Sequence, residues 1–301
     1  MIDNEVYTDD WKNELHTQLI TSLVNRQNTN DSIFEKIGYY YTCCAPAFLY
    51  KYCGDSNRTI ENLKANKIWF SAPCNFNDVF DCDILIDDNQ VFQNTLELIP
   101  NKREFRKGSS KWRMLNQKIS KGLRKLRANF EKMKTTIGVF CLSELDDSLL
   151  MWSHYANNHC GICVEYELLS INKQLGFSPV PVIYSSERSS IRSINPNTID
   201  TDTKSVFIKS LISKSPEWSY EKEWRIIQDK GACGINWNTE NKGALRDMVR
   251  PRSVILGCMA KTEFEKEIYD YCEENKINLY KMVKNKSLYK LDKTQILQFD
   301  E

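Results

Sequence analysis

Apolar residues recur at helical spacing in the first part of the chain. In a run that starts near Asp10 they lie three, four or one residue apart, and a second short run follows Asp31. This spacing places apolar side chains on one face of a helix. We therefore predict two helices, which form an N-terminal helical extension over residues 1–44. Their apolar positions are Trp11, Leu15, Leu19, Ile20 and Leu23, then Ile33, Phe34 and Ile37.

From about residue 45 the pattern changes to short apolar runs that are bounded by turn residues. Such runs predict strands. The predicted strands are PAFLYKYCG, KIWFSAP, TTIGVFCLSE, GICVEYEL, PVPVIYSS, SYEKEWRIIQ and VILGC, with one or two more in NLYKMVKNKSLYKLDK. The helices between them are few and short, and no regular βαβ rhythm with Gly-rich turns occurs. The pattern predicts an α+β fold with a mixed, largely antiparallel sheet, in a single domain over residues 45–301.

A basic helical hairpin is predicted as an insertion at about residues 89–135. The chain has 41 Lys and Arg against 40 Asp and Glu, but residues 101–134 hold 13 basic residues and two acidic ones. Pro100 and Gly108 break the helical pattern. This charge could serve to bind nucleic acid or an acidic protein, or the segment could be an ordinary solvated helix pair, and both interpretations remain open. The candidate contact residues are Lys118, Lys121, Arg124, Lys125 and Arg127.

The cysteine content and the apolar runs bear on where in the cell the protein is located. The chain has 11 cysteines, so at least one is unpaired, and its N-terminus lacks the basic and apolar regions of a signal peptide. No apolar run approaches the length of a membrane span. We therefore expect a cytoplasmic protein with reduced thiols and without membrane association.

The stretch MWSHYANNHCGICVEYE (151–167) contains two histidines and two cysteines. These are zinc-type ligands. However, His159 and Cys160 are adjacent, and neighbouring side chains of an extended segment point apart. Cys163 also falls inside the alternation of a strand. We therefore expect no metal, and predict a short helix followed by a strand. His154 is the candidate acid–base residue of this stretch.

The segment SYEKEWRII (219–227) predicts a strand on which Glu221, Glu223 and Arg225 share one face. Two interpretations remain open. The charges could form ion pairs on a solvent-facing edge, where such pairs contribute little. Alternatively, a carboxylate lies in a cleft and is held by the neighbouring arginine.

Together these segments resemble the DUF2971 family of uncharacterised prokaryotic proteins. The segments that carry the resemblance are LYKY (49–52), IWFSAPCNFNDVFDC (68–82), GVFCLSELDDSLLMWSHYANNHCGICVEYE (138–167), VIYSS (182–186) and KSPEWSYEKEWRII (214–227). Val79 departs from the family pattern, in which Pro usually follows Asn-Asp. Such proteins are often found near prokaryotic defence genes, so the resemblance implies a role as a defence effector.

The order of these segments is also similar to the layout of ADP-ribosyltransferases, which hold NAD in a split, largely antiparallel sheet. This similarity implies NAD as substrate and no metal. It implies Glu223 as the catalytic carboxylate, with Glu221 second, Arg225 as its orienting partner and His154 as an acid–base group. The implied NAD-binding residues are Tyr50, Lys51, Tyr52, Phe70, Ser71, Asn77 and Asp78. The alternative is a defence module that binds or cleaves nucleic acid without NAD chemistry.

Overall fold

The computed structural model describes residues 10–24, 31–100, 102–176, 178–194, 201–229 and 237–299. The helices are α1 (Asp10–Val24), α2 (Asp31–Tyr39), α3 (Asn57–Lys64), α4 (Asp88–Glu97), α5 (Ser110–Lys134), α6 (Leu149–Tyr155), α7 (Leu168–Leu175), α8 (Thr201–Leu211) and α9 (Thr262–Asn275). The strands are β1 (Phe48–Cys53), β2 (Lys67–Ser71), β3 (Ile137–Ser143), β4 (Ile162–Glu167), β5 (Val180–Pro181), β6 (Ile183–Tyr184), β7 (Ser213–Lys214), β8 (Glu223–Asp229), β9 (Trp237–Asn238), β10 (Gly243–Asp247), β11 (Ser253–Leu256), β12 (Asn278–Lys284) and β13 (Leu291–Leu297).

The chain forms two units, and each is assembled from three separate segments. The helical unit contains Met1–Ala45, Pro73–Thr136 and Ile183–Pro216, and the sheet unit contains Pro46–Ala72, Ile137–Val182 and Glu217–Glu301. This division differs from the predicted one, in which residues 45–301 form a single domain. The physical reason is that the inserted helices share an apolar core with the segment around Ile191, so that both belong to one unit.

Helix α5 supplies the longest apolar surface of the helical unit. Its buried residues recur every three or four positions, as the sequence predicts, and they pack with residues of α4 and with Ile191 and Ile194. Ser109 begins the helix, because its side-chain oxygen accepts a hydrogen bond from the backbone N–H of Trp112 at 3.1 Å. The insertion therefore consists of two helices. The buried residues of α5 are Leu115, Ile119, Leu123, Leu126 and Phe130.

The main sheet confirms the predicted α+β fold with a mixed, largely antiparallel sheet. Its strand order is β13-β12-β11-β4-β1-β3-β2-β10-β9, and only β11 and β12 in this order pair in parallel. Strand β8 pairs antiparallel with β3 along its whole length, and the short β5 pairs with β8. The sequence did not predict β10, which pairs with all of β2. Among the described helices, none has both the length and the apolar character that crossing a bilayer requires.

Strand β3 divides the sheet, because two strands share one of its edges. Strand β1 meets β3 at the pair Tyr50 and Ser143, whereas β2 meets it at the pair Ser71 and Val139. The opposite edge of β3 pairs with β8 from Ile137 to Ser143. The sheet therefore branches at β3. Both β1 and β2 pair with the same edge of β3, β1 at its C-terminal end and β2 nearer its N-terminal end.

Two glycines allow the backbone to pack closely where β4 begins and β11 ends. A Cβ atom at Gly257 would lie 2.0 Å from the carbonyl oxygen of His159, and one at Gly161 would lie 2.0 Å from that of Cys53. Real side chains do not approach backbone atoms so closely, so a larger residue would force the strands apart. In contrast, a Cβ at Gly38 in α2 would meet no atom within 4 Å.

We predict that Gly257→Ala lowers the free energy of unfolding by about 1–3 kcal/mol, as expected for overpacking. The matched control, Gly38→Ala, removes a helical glycine from open space and should raise it by about 0.5–1 kcal/mol. Urea denaturation followed by circular dichroism measures both changes. Equal stability of the Gly257 variant and the wild type would contradict the close packing.

Candidate functional site

Five polar residues form a row across one face of the sheet. Opposite residues of antiparallel strands lie on the same face. Tyr50 on β1 is opposite both Glu165 on β4 and Ser143 on β3, while Ser143 is in turn opposite Glu223 on β8. Ser253 on β11 is opposite Glu165. We call these five residues the polar row, in the order Ser253, Glu165, Tyr50, Ser143 and Glu223.

One end of the polar row holds a buried ion pair. The Arg225 guanidinium donates two hydrogen bonds to Glu223, from Nε to Oε1 at 2.9 Å and from Nη2 to Oε2 at 2.8 Å. Arg225 is 0 % exposed and Glu223 is 6 % exposed. The pair therefore does not lie on a solvent-facing edge. Bidentate pairing fixes the orientation of the carboxylate as well as neutralising it.

Cys141 lies opposite Arg225 in the register of β3 and β8. Burial, and after it the negative charge of Glu223, raises the pKa of its thiol. The thiol therefore stays protonated at neutral pH and is not a nucleophile in this environment.

Glu221 is connected to the polar row through its backbone carbonyl, which the sequence pattern did not predict. The predicted strand over 219–227 is wrong in its first part, because Pro216–Glu221 is a 3-10 turn and β8 begins at Glu223. Lys222 between them has a left-handed backbone, with φ 44°. Strand alternation therefore does not place Glu221 beside Glu223. Instead, Ser143 donates a hydrogen bond from its hydroxyl to the Glu221 carbonyl at 2.6 Å.

Helix α6 places two consecutive side chains against this turn. Tyr155 donates a hydrogen bond from its hydroxyl to Oε1 of Glu221 at 2.5 Å, and Nδ1 of His154 lies 3.1 Å from the hydroxyl of Tyr220. Glu221 is buried, whereas His154 is exposed. Trp152 anchors the helix, since it is completely buried. Its ring packs edge to face against that of Tyr52, with 5.3 Å between the ring centroids.

The other end of the polar row is centred on Glu165. Its two carboxylate oxygens accept hydrogen bonds from the hydroxyls of Tyr50, at 3.0 Å, and Ser253, at 2.7 Å. Burial, and after it the charge of Glu165, raises the pKa of Tyr50. The Tyr50 hydroxyl is therefore a hydrogen-bond donor throughout the neutral pH range.

An ion pair between Lys293 and Asp146 lies close to this end, with Nζ 2.5 Å from Oδ2. Burial opposes the charge on Lys293, but the hydrogen bond and the charge of Asp146 outweigh it and raise the pKa of the lysine. The charge of Glu165 also raises the pKa of Lys293.

Several of the predicted NAD-binding residues in the sheet unit are buried in the core or lie on the opposite face of the sheet. Phe70 is 0 % exposed and packs against Phe140, and Tyr52 is buried with its hydroxyl bonded to the Leu145 carbonyl at 2.9 Å. Their rings are part of the core, so in this structure neither ring is exposed for contact with nicotinamide. Lys51 occupies the opposite face, where its Nζ donates to the Cys141 carbonyl at 3.0 Å.

Ser71 shares the face of the polar row but is distant from its acidic end. It pairs with Val139, four residues before Ser143 on β3. At about 3.4 Å per residue, this separates Ser71 from Ser143 by roughly 13 Å. The structure therefore brings Tyr50, Glu223 and the neighbourhood of His154 together, and leaves Ser71 apart.

Asn77 and Asp78 belong to the helical unit. Asp78 accepts a hydrogen bond at Oδ1 from the backbone N–H of Phe80 at 2.9 Å, which is the local turn-forming use of such residues. Its second oxygen, Oδ2, is buried and has no hydrogen-bond partner within the described part of the chain.

The predicted nucleic-acid contacts lie on α5. Lys118, Lys121, Arg124 and Lys125 are exposed, and among the described residues none of them forms a salt bridge. Arg127 differs, because it is ion-paired with Asp88 and also donates to the Ile86 carbonyl at 3.3 Å. Four of the five predicted residues are thus accessible cations, while the fifth holds α5 against the chain before α4.

His159 closes the turn before β4. Asn157, Asn158 and His159 all have left-handed backbones, and the His159 carbonyl accepts a hydrogen bond from the backbone N–H of Met259 at 3.0 Å. Burial, and then the charge of Lys284, lowers the pKa of His159. Over the ranges that the structure describes, no three His, Cys, Asp or Glu side chains are arranged to hold a metal ion.

Residues 151–226 match the model of a protein family. That family is DUF2971, described as a protein of unknown function. The DUF2971 segment contains α6 from Met151 onward, the 3-10 turn and the first half of β8. It therefore includes His154, Tyr155, Glu221, Glu223 and Arg225. Over this segment the chain is similar to the family, as the sequence motifs indicated. No curated protein and no solved structure shows a significant match to the chain.

Sequence reasoning did not select Glu165, Asp146, Tyr155, Tyr220 or Lys293 as site residues. For Glu165 a signal existed, because a carboxylate in the middle of a largely apolar strand requires a partner when that strand is central. For Lys293 no local signal existed. Its partner Asp146 is 147 positions away in the sequence.

We predict that Arg225→Met lowers the free energy of unfolding by about 3–5 kcal/mol, because it leaves the Glu223 carboxylate buried without its cation. The double variant Glu223→Leu/Arg225→Met removes both charges, and it should recover most of this loss. Urea denaturation measures the free energies. A double variant that is less stable than Arg225→Met would contradict the view that the unpaired charge causes the loss.

Proposed function

We propose that the sheet unit is a cytoplasmic, ADP-ribosyltransferase-like defence effector that cleaves the bond between nicotinamide and ribose in NAD. ADP-ribose is transferred to a nucleic acid or a protein. One observation carries the proposal: Glu223, held by Arg225, lies in the same row as Tyr50 on a sheet that branches at β3. A carboxylate with a fixed orientation stabilises the positive charge that develops on the ribose.

The carboxylate acts on the charge that develops as the bond breaks. The electron pair of the nicotinamide–ribose bond leaves with nicotinamide, and positive charge appears on the ribose. A preorganised carboxylate stabilises this charge without reorientation. Because both Glu223 oxygens are bonded to Arg225, the carboxylate keeps its direction throughout the reaction.

The neighbouring groups have roles in binding and proton transfer. Tyr50 donates its only hydroxyl proton to Glu165, and its hydroxyl oxygen accepts a hydrogen bond from a ribose hydroxyl or from the amide of nicotinamide. Glu221, oriented by Tyr155, positions the acceptor hydroxyl. The acceptor oxygen attacks the ribose carbon and releases a proton, which His154 receives at the exposed end of α6. Phe70 and Tyr52 have no part in this proposal, because they are core residues.

We predict that Glu223→Gln lowers the rate of nicotinamide release from NAD by at least about 100-fold, since one preorganised group often contributes that much. The amide retains the shape of the side chain and a hydrogen bond to Arg225. Glu263→Gln, at an exposed position of α9, is the matched control and should leave the rate unchanged. Nicotinamide is quantified by chromatography, with nucleic acid and protein supplied as acceptors.

Two results would contradict the catalytic assignment. The first is equal release by the wild type and a folded Glu223→Gln variant. The second is the absence of release by the wild type with every acceptor.

A second function is favoured by the exposed cations of α5. Lys118, Lys121 and Lys125 are three and four residues apart, so they form one stripe along the helix. Such a stripe contacts successive phosphates of a nucleic acid without reading its sequence. This function corresponds to a defence module that binds nucleic acid without NAD chemistry. If the first proposal holds, the stripe would instead bring an acceptor to the enzyme.

We predict that reversing the charge of Lys118, Lys121 and Lys125 to Glu weakens binding to single-stranded RNA or DNA by at least about tenfold at low salt. The slope of log affinity against log salt should fall by roughly 0.7 for each phosphate that the variant no longer neutralises. The control reverses three exposed lysines elsewhere, Lys173, Lys284 and Lys286. Fluorescence anisotropy at several salt concentrations measures both. Equal losses of affinity in the two variants would show only a dependence on net charge.

A further inference from the structure

The helical unit contains a cavity of about 800 Å³ that the proposed function does not use. Its wall is built from α1, from residues 183–193 and from α8 with the first residue of β7, all of which belong to this unit. Small-molecule sites in proteins usually have volumes of about 300–1,000 Å³. The cavity is therefore large enough for a ligand of the size of a nucleotide.

Hydroxyl groups dominate the polar part of the cavity wall. Six serines and three threonines line it. In the described part of the chain, the hydroxyls of Ser189, Ser190, Ser193 and Ser213 form no hydrogen bond, so they are available to a ligand. Hydroxyls donate to anionic oxygens and accept from amines equally well, so the charges of the wall decide which ligand is preferred.

The charges around the cavity favour an anion. Arg192 and Lys209 line it with exposed side chains, and neither forms a salt bridge with any described residue. Arg188 is already ion-paired with Asp83. Among the described lining residues, Glu187 is the only one with a carboxylate. Two cations that lack a salt-bridge partner in the described ranges are thus opposed by one acidic side chain.

The loop that carries these groups is held in place by the rest of the helical unit. The Ser189 carbonyl accepts a hydrogen bond from the Leu85 backbone N–H at 2.8 Å, and the Leu85 carbonyl accepts one from the Ile191 N–H at 3.0 Å. The Arg192 carbonyl accepts one from Nδ2 of Asn94 at 2.8 Å. A loop that is ordered in advance lowers the entropic cost of binding a ligand.

From these features we infer that the cavity binds a phosphorylated small molecule of nucleotide size. Arg192 and Lys209 would contact the phosphate oxygens as charged donors, which form stronger hydrogen bonds than neutral ones. The serine hydroxyls would complete the contacts to the phosphate. Ile20 and Val206 line the same cavity and provide apolar surface for a base or a similar planar group.

This site is separate from the polar row, which is built entirely from the sheet unit. It is also distinct from the stripe of lysines on α5, which suits an extended polyanion and does not line the cavity. The inferred binding site therefore depends neither on NAD cleavage nor on nucleic-acid binding.

The test is titration of the full chain with ADP and, separately, with adenosine, by isothermal calorimetry. We expect ADP to bind at least about tenfold more tightly than adenosine, because the phosphates carry the recognition. The variant Arg192→Gln/Lys209→Gln should lose at least about tenfold in ADP affinity. Arg106→Gln/Lys107→Gln removes the same charges at exposed positions outside the cavity and should bind as the wild type does.

Two further variants separate the cavity from other sites. Thr17→Trp places a large ring at an exposed lining position of α1 without changing charge, and it should abolish ADP binding. Glu263→Gln, at an exposed position of α9 outside the cavity, should leave ADP binding unchanged. Thermal unfolding verifies that each variant is folded. The inference is overturned if ADP does not bind, if adenosine binds equally well, or if a folded cavity variant keeps the affinity of the wild type.

Discussion

The pairing of β3 with three other strands is the constraint on which the sheet unit depends. One edge of β3 is fully occupied by β8, and the other is shared between β1 and β2. Because β1 and β8 pair with β3 at the same residue, side chains of three strands lie side by side at Ser143. A sheet in which β2 alone occupied that edge of β3 would not place Tyr50 beside Ser143. The polar row is thus a product of the register of five strands and not of any single strand.

The buried pair of Glu223 and Arg225 is costly to desolvate, and an apolar pair of similar size would usually be at least as stable. Its presence in the buried part of β8 therefore calls for a reason other than stability. The geometry offers one, since two hydrogen bonds fix the direction of the carboxylate and the polar row extends from it. A ligand at this face would contact a carboxylate whose orientation is fixed by Arg225.

Sequence patterns predicted the helices and strands correctly where one spacing of apolar residues continued along the whole element. The amphipathic face of α5 and the alternation of β4 were both expected, because each depends only on spacing along the chain. The first part of the 219–227 strand failed at Lys222, whose left-handed backbone leaves no mark in the hydrophobic pattern. Phe70 was expected at a ligand and lies in the core, since exposure depends on residues such as Phe140 that are distant in sequence. Which chain segments belong to which unit could not be predicted either, because this also depends on contacts between residues that are distant in sequence.

The discontinuous assembly of both units has a consequence for synthesis on the ribosome. All the segments of the helical unit have been made once Pro216 has been added, so its core can form while the sheet is incomplete. In contrast, the edge of β3 that pairs with β8 stays open until Asp229 has emerged, and the edge of β4 that pairs with β11 stays open until Leu256 has emerged. Apolar strands with unsatisfied edges are then present for a long interval, during which they can pair with other chains. A nascent chain of this protein should therefore depend on chaperones most strongly between residues 143 and 256.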